Sequence, residues 1–570
     1  MTARRWTVLC ALTGLLAVTG CKGSGDAPEE LSDVERVETV GKSAALSVAK
    51  DCDDLLTRIQ NDAVAKLDLE IEAFRKLYDR AWEAFQNGES FGGGFDDGAR
   101  GGSDGGVDFT SADTAVPLAA PEMAASAPSA GQPAGGSGEG GAVGDFDDGG
   151  DQLSTPTGSG NEAGSGELGG GGGSEPTGAS QTNSQFAEVD EPDFVKLVEL
   201  GKRAYLLHGS DLFTLRTWEP EALAVQGEPV RIQGRPREML NTGTHLVVFS
   251  ERTDHDGEIF GQDVLNPWDA RGATQVSVYD TSGETPSLLS EYYYEGSYTS
   301  ARRHDAVVRV VMQARSRAAA AFDLESIEVE DPWGNPRPPA QIDTQLDALR
   351  ALRVADIRAT TLDQWLPAQA QRSGGEIVPL SRQCDSHYLP PAGLADYGLT
   401  RVVTLDSGAV DQPPRGVSVL GYSEVVYADL GHMLLAQPDY RWRPESEILL
   451  GDVAVQQTVL HQFALNGAAT DYDGSGFVPG LLAGESTQLK QFALQIRDGV
   501  IFASTTGEEL LESDSDIFAP WRNSRTINRL VSARLDDGAL QVLDTTAPLG
   551  KVEDRETTRS TRFVGDRAYV

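Results

Sequence analysis

Downstream of Asn183 the chain is a succession of short runs of β-branched, aromatic and leucine residues separated by turn residues. The runs Ala204–His208, Leu212–Leu215, His245–Phe249, Gln275–Tyr279, Val307–Met312, Arg401–Leu405, Val425–Ala428, Met433–Ala436, Val459–Leu465, Gln491–Ile496, Val500–Ser504, Leu530–Leu535 and Leu540–Leu543 have the length and composition of strands. Asp498-Gly499 and Asp537-Gly538 fall between adjacent runs, where residues that tolerate positive φ close antiparallel hairpins. Many strands with local hairpins predict an all-β unit over residues 186–570. That span is too long for one sandwich. It suits a β-propeller, complete or incomplete, of four-stranded antiparallel blades of roughly 40 to 45 residues each. Residues 316–375 interrupt the pattern as an insertion, with Ala340–Val354 as its helical piece.

The N-terminal part has a different period. Between residues 31 and 87 the apolar positions Cys52, Leu55, Leu56, Ile59, Ala63, Leu67, Ile71, Phe74, Leu77, Ala81, Trp82 and Phe85 recur three and four apart, the spacing of an amphipathic helix. The weak pattern over Ser47–Asp54 leaves one long helix or two shorter ones open. A helix with one apolar face must cover something. Aromatic residues near its end, without a strict heptad, favour docking on a domain over a coiled coil. Residues 88–185 are rich in Gly, Ser, Ala, Pro and Asp and have too few apolar residues to offset the entropy of ordering, so a disordered linker is expected.

At the start, Arg4 and Arg5 precede the apolar run Trp6–Val18, followed by Val18-Thr19-Gly20-Cys21. A basic region, an apolar stretch too short to span a bilayer and small residues at a cleavage site read as a signal peptide over residues 1–20. With Cys at the cleavage point the segment resembles a bacterial lipobox, which implies acylation of Cys21, typically with palmitate, and membrane attachment through the lipid. Residues 21–30 are then a short tether. Lys22 after Cys21, in place of Asp, fits sorting to the outer membrane of a diderm bacterium.

The formal net charge of -40 repels phosphate backbones and anionic head groups, which argues against nucleic-acid binding and against electrostatic adhesion to lipid. After Cys10 leaves with the signal and Cys21 takes the lipid, Cys52 and Cys384 remain. Outside the cytosol a bridge between them is favoured, tying the helical segment to the main body; two separately buried thiols are the alternative.

Specific residues also carry a resemblance. Thr182-Asn183-Ser184-Gln185-Phe186-Ala187-Glu188-Val189-Asp190-Glu191-Pro192-Asp193-Phe194-Val195-Lys196, Glu295-Gly296-Ser297-Tyr298-Thr299-Ser300-Ala301-Arg302, Asp363-Gln364-Trp365-Leu366-Pro367, Ser475-Gly476-Phe477-Val478-Pro479-Gly480 and Arg562-Phe563-Val564-Gly565-Asp566-Arg567-Ala568-Tyr569 occur in that order. Together they resemble a family of secreted bacterial and archaeal proteins with a β-propeller domain distantly related to WD-40 repeats, and Cys52-Asp53-Asp54-Leu55-Leu56 resembles its N-terminal helix. The resemblance implies an architecture and no particular activity. Members continue beyond the hairpin built on Gly565-Asp566, so the expectation is a truncated or fragmentary form of a longer protein, with a natural short variant as the alternative.

Candidate chemistry is sparse. Asp471-Tyr472-Asp473-Gly474-Ser475-Gly476 imitates the start of a calcium loop, but Leu482 stands where the twelfth-position glutamate belongs. Asp190, Glu191 and Asp193 beside Lys196 read as a cation site or, preferably, as an internal ion pair. Asp514 and Asp516 read as a solvated loop. Gly41-Lys42-Ser43 lacks the first glycine of a phosphate loop, since residue 36 is Arg. The seven histidines show no local metal-ligand spacing. No catalytic set emerges, and no cofactor is expected. The leading reading is a lipid-anchored envelope scaffold that binds a protein, peptide or glycan; the other is a propeller hydrolase or lyase with carboxylates or histidines converging on the central channel.

Overall fold

The computed structural model describes residues 46–87, 189–262, 271–316, 318, 327–331, 335–390, 398–439, 456–510, 524–551 and 556–570. Among these, five four-stranded antiparallel blades follow one another, each with its strands paired in chain order. Blade one is Val195–Val198, Arg203–His208, Asp211–Arg216 and Ala224–Arg231; blade two is Arg235–Asn241, His245–Asp254, Arg271–Asp280 and Ser287–Glu295. Blade three is Ser297–His304, Val307–Arg315, Gly398–Asp406 and Arg415–Leu420; blade four is Val425–Ala428, His432–Asp439, Gln457–Asn466 and Ala469–Pro479. Blade five is Leu494–Arg497, Val500–Leu510, Ser524–Asp536 and Ala539–Thr545, and a hairpin of Arg562–Val564 with Arg567–Tyr569 follows it. The turns expected from the sequence are present: Asp498 and Gly499 lie at φ 52 and 73, and Asp537 and Gly538 at 48 and 77. Positive φ at both central residues matches the twist of the flanking strands.

Alternation along the strands builds the core between blades. In the second strand of blade two, Leu246 and Val248 pack with Tyr205 and Leu207 of blade one. Their neighbours Val247 and Phe249 pack with Val310 and Met312 of blade three. Every second residue therefore serves a different interface, and a one-residue slip would exchange both. Blades four and five touch at their outer strands through Ser475 and Ala539. Gly474 and Gly476 permit this approach: a Cβ there would fall 2.3 Å from the Gly538 carbonyl oxygen and 2.4 Å from the Leu540 Cβ.

Among the described residues the helical segment is the helix Cys52–Gln86; residues 31–45 lie outside them. Asp51 caps its start, Asp51 Oδ1 accepting from the Asp54 amide at 2.8 Å. Ser47–Val48 is extended instead, pairing with Leu389 and Tyr388. Leu55, Ile59, Leu67, Ile71 and Tyr78 on the helix are buried against Ile342, Leu346, Ile357 and Trp365. The expected helical piece of the insertion extends to Pro339–Ala359. Arg75 bonds Asp343 at 3.0 Å and Arg350 bonds Asp68 at 2.5 Å across the two helices. Cys52 and Cys384 form a disulfide with Cα atoms 5.0 Å apart.

The insertion runs past residue 375, up to the third strand of blade three at Gly398. Its hairpin Gln369–Ser373 and Glu376–Pro379 adds to the outermost strand of blade two, and His387–Leu389 adds in parallel to the outermost strand of blade three. Exposed edges that would otherwise template foreign strands are thereby covered. The signal peptide, Cys21, the tether, the Gly-rich linker, Asp514 and Asp516 lie outside the described residues. No helix among the described residues is long and apolar enough to cross a membrane.

Candidate functional site

The first strand of each blade is an edge of its sheet. The chain reaches blade one by crossing two of these inner strands. Asp190 exchanges backbone hydrogen bonds with Arg303 of blade three at 3.1 and 3.0 Å, and Asp193 exchanges them with Met239 of blade two at 3.1 and 2.9 Å. Between the two bridges stands Pro192, which has no amide to satisfy and holds Glu191 extended. Val189 anchors the start of the crossing, buried with Val311, Val402 and Val426. The segment Val189–Phe194 thus fastens blades one, two and three together from inside.

Its carboxylates meet the chain's own cations. Lys196 Nζ donates to Asp190 Oδ1 at 2.9 Å and to the Glu191 carbonyl at 2.5 Å, and Arg303 Nε donates to Asp190 Oδ2 at 3.2 Å. Lys196 has only 7% of its side chain exposed. Asp190 therefore forms the internal ion pair that Lys196 nearby suggests, whereas Asp193 Oδ1 accepts from the Phe194 amide at 2.7 Å.

Beside this pair lies a second polar knot drawn from several blades. Arg302, 2% exposed, donates to Ser300 Oγ at 2.6 Å, to the Ala301 carbonyl at 2.7 Å, to the Val426 carbonyl of blade four at 3.0 Å and to Gln491 Oε1 at 3.0 Å. Glu191 Oε1 lies 3.9 Å from Arg302. Tyr298 stacks on Phe249 with ring centroids 5.1 Å apart and donates its hydroxyl to Glu238 Oε2 at 2.8 Å. Burial raises the Glu238 carboxyl above its ordinary range, against the lowering influence of Tyr298 and Arg302; Asp193 and Glu191 push it up further. Burial, with Glu238 beside it, pushes the Tyr298 hydroxyl well above its ordinary value. Chemically the cluster offers one protonatable carboxyl, a neutral phenol donor and a fixed guanidinium, suited to orienting a polar group.

Glu238 and Arg303 carry no sequence signal because nothing local singles them out, and Gln491 stands at the head of a predicted strand run without a role. Tyr298 and Arg302 stood inside a recognisable motif without a role. Their partners come from different blades, so spacing along the chain carries no signal of the cluster.

Asp471 and Asp473 do not wrap a loop. They lie on the strand Ala469–Pro479, with Asp471 opposite Ala464, and Asp473 Oδ2 accepts from Gln462 Nε2 at 2.7 Å. Among the described residues no three His, Cys, Asp or Glu side chains group closely enough to hold a metal ion. Two histidines meet at Asp429, His304 on its carbonyl at 2.7 Å and His432 Nδ1 3.2 Å from its Oδ1, while His387 and His461 are buried elsewhere.

Solved structures similar to the chain include a mutant of the Synechocystis apocarotenoid oxygenase, 10% identical with a TM-score of 0.21, covering 61% of this chain and 58% of that one. The inulosucrase of Halalkalicoccus jeotgali bound to kestose is 10% identical with a TM-score of 0.18, covering 65% of this chain and 91% of that one. Likeness at this level carries no functional argument. No curated protein matches the chain in sequence. The model of the β-propeller domain matches residues 179–570, and the chain belongs to that family.

Proposed function

We propose that this protein is a lipid-anchored scaffold of the cell envelope, secreted through its signal peptide and attached at Cys21, whose propeller binds a protein, peptide or glycan. The observation that carries the binding role is the inner strand of blade one. Phe194 and Leu197 are 59% and 43% exposed there, beside carboxylates already engaged by Lys196, Arg302 and Arg303. Apolar side chains held at the surface next to a rigid polar cluster are the composition of a recognition site. Attachment rests on the lipobox-like Val18-Thr19-Gly20-Cys21, and the relation to WD-40 repeats remains part of the same proposal.

The experiment has two arms. A palmitate analogue fed to the producing cell should label the wild-type chain and not Cys21→Ser; equal labelling rejects the anchor. The lipidated protein crosslinked in its own envelope should retain a defined partner that Phe194→Asp with Leu197→Asp loses. Retention by the variant rejects this surface. The raised carboxyl of Glu238 favours a second reading, a hydrolase or lyase, which predicts turnover of a model glycan or peptide that Glu238→Gln abolishes.

A further inference from the structure

The inner strands of blades three and four are tied twice, by Arg302 on the Val426 carbonyl at 3.0 Å and, two residues further along blade three, by His304 on Asp429. His304 closes the strand Ser297–His304, and Asp429 opens the turn after Val425–Ala428. The His304 Nε2 lies 2.7 Å from the Asp429 carbonyl oxygen. A carbonyl only accepts, so Nε2 carries the hydrogen and the neutral ring leaves Nδ1 bare. Arg309 Nη1, from the second strand of blade three, donates to that nitrogen at 3.4 Å. The guanidinium cannot retreat. It is 1% exposed and held in blade four by the Gly467 carbonyl at 2.5 Å, the Ala469 carbonyl at 2.9 Å and Thr470 Oγ1 at 2.8 Å. A second proton on His304 would be placed on Nδ1, directly against a fixed cation.

His432, at the far end of the same turn, has the opposite setting. Its Nδ1 lies 3.2 and 3.4 Å from the two carboxylate oxygens of Asp429. Asp429 Oδ1 also accepts from the Gly431 and His432 amides at 2.8 and 2.7 Å, so the carboxylate is fixed as firmly as the guanidinium. A proton on this ring is placed against an anion. The other charged neighbours do not reverse either setting. Burial, with Arg309, opposes charge on His304 against the pull of Asp429 and Asp305, and its pKa falls below the ordinary 6.5. The hydrogen bond from His432 to Asp429 outweighs burial, Asp473 of the blade's outermost strand adds to it, and the pKa of His432 rises above 6.5. Arg303, next to His304 in sequence, is engaged with Asp190.

We propose that His304, Asp429 and His432 form a pH-bracketed clasp between blades three and four, fully closed only while His432 is charged and His304 is neutral. Each histidine sets one edge of the band. The folded chain resists a proton on His304 that the unfolded chain accepts near 6.5, so this contribution is complete above that value and is lost as pH falls through the lowered pKa. His432 holds its proton more tightly in the folded chain, so its contribution is complete below 6.5 and is lost as pH rises through the raised pKa. The two overlap around pH 6.5, and the clasp loosens on either side.

The test uses the full chain with nitrogen-15 in its histidine rings, the signals assigned through His304→Gln and His432→Gln. Wild-type His304 should carry hydrogen on Nε2 and none on Nδ1 near neutral pH, and the midpoints of His304 and His432 should fall below and above 6.5. Hydrogen exchange at the amides of Asp429–His432, taken relative to intrinsic rates, should be slowest around pH 6.5 and roughly threefold faster or more at about pH 4.5 and 8.5. Gln at position 304 still donates to the Asp429 carbonyl and accepts from Arg309 but takes no proton. His304→Gln should therefore keep its protection in acid and lose it in alkali, whereas His432→Gln should show no alkaline change. Hydrogen on Nδ1 of neutral His304, midpoints on one side of 6.5, or wild-type exchange that fails to quicken in acid or in alkali would overturn the clasp. So would the same pH profile in wild type and both variants. Should His304→Gln fail to fold, the wild-type exchange profile and the loss of the alkaline limb in His432→Gln decide.

Discussion

Asp190 and Arg303 are joined twice, once through their backbones at 3.1 and 3.0 Å and once through Arg303 Nε on Asp190 Oδ2 at 3.2 Å. This double contact fixes the entry to blade one against the inner strand of blade three. Asp190 also holds the buried Lys196, so one carboxylate meets both cations at the crossing.

Asp190→Ala should therefore be costly. Removing one partner of a buried pair leaves the other charge uncompensated, at about 3–5 kcal/mol. Asp190→Asn keeps the shape and some hydrogen bonds and should lose less. Urea unfolding gives the comparison; a loss for Asp190→Ala below about 1 kcal/mol, the range of an exposed pair, would contradict the tie.

Acid should weaken the interface between blades three and four through His461. Burial lowers its pKa from 6.5 to about 4, and neither ring nitrogen has a partner. The unfolded chain takes up a proton near the ordinary value and the folded chain resists until about 4, so the unfolded state binds more protons in between. Stability then rises with pH across that window, and on acidification His461 alone accounts for a loss on the order of 3 kcal/mol. His461→Leu should flatten the melting temperature between pH 4 and 6.5 and leave the protein at least as stable at pH 5. An unchanged slope would show that other groups govern the acid limb.

The bond from Tyr298 to Glu238 restrains the carboxyl that burial raises. Tyr298→Phe should move the Glu238 titration further up, seen in the carbon-13 shift of its carboxyl group. The stability loss should be about 1 kcal/mol, since the stacking on Phe249 survives and only a hydrogen bond is removed. A downward movement would mean that Tyr298 does not stabilise the ionised form.

Reduction of the disulfide should leave the N-terminal helix docked. Leu55, Ile59, Leu67 and Ile71 are buried against the insertion independently of Cys52, while the bridge acts mainly on the unfolded chain, by about 2–4 kcal/mol. In Cys52→Ser the amides of Leu55–Tyr78 should keep their protection from hydrogen exchange, whereas Ile71→Asp should lose it. Equal loss in both variants would make the disulfide, and not the apolar row, the anchor of the helix.

Much of the fold is legible along the chain because it is local. Alternation in Leu246-Val247-Val248-Phe249 encodes both interfaces of a strand, Asp-Gly pairs mark hairpins, and the three-and-four spacing from Leu55 to Ile71 marks a buried helix face. These patterns depend on neighbours a few residues away, where backbone geometry dictates the period. The start of that helix was less legible, because the cap at Asp51 and the partner strand of Ser47–Val48 are decided by a hydrogen bond and by residues far down the chain.

The sites belong to the tertiary structure. Glu238, Tyr298, Arg302 and Gln491 converge only when successive blades bring their inner strands together. His387 joins Ser418 of blade three only because the insertion lays a parallel strand on that blade's edge. The sequence by itself determined the all-β blades, the helix and the acidic motif at Asp190, since periodicity and turn chemistry act over short range. Which carboxylate meets which cation, and which polar groups are buried without a partner, was decided by packing between segments far apart in the chain, for which a single sequence holds no periodic trace.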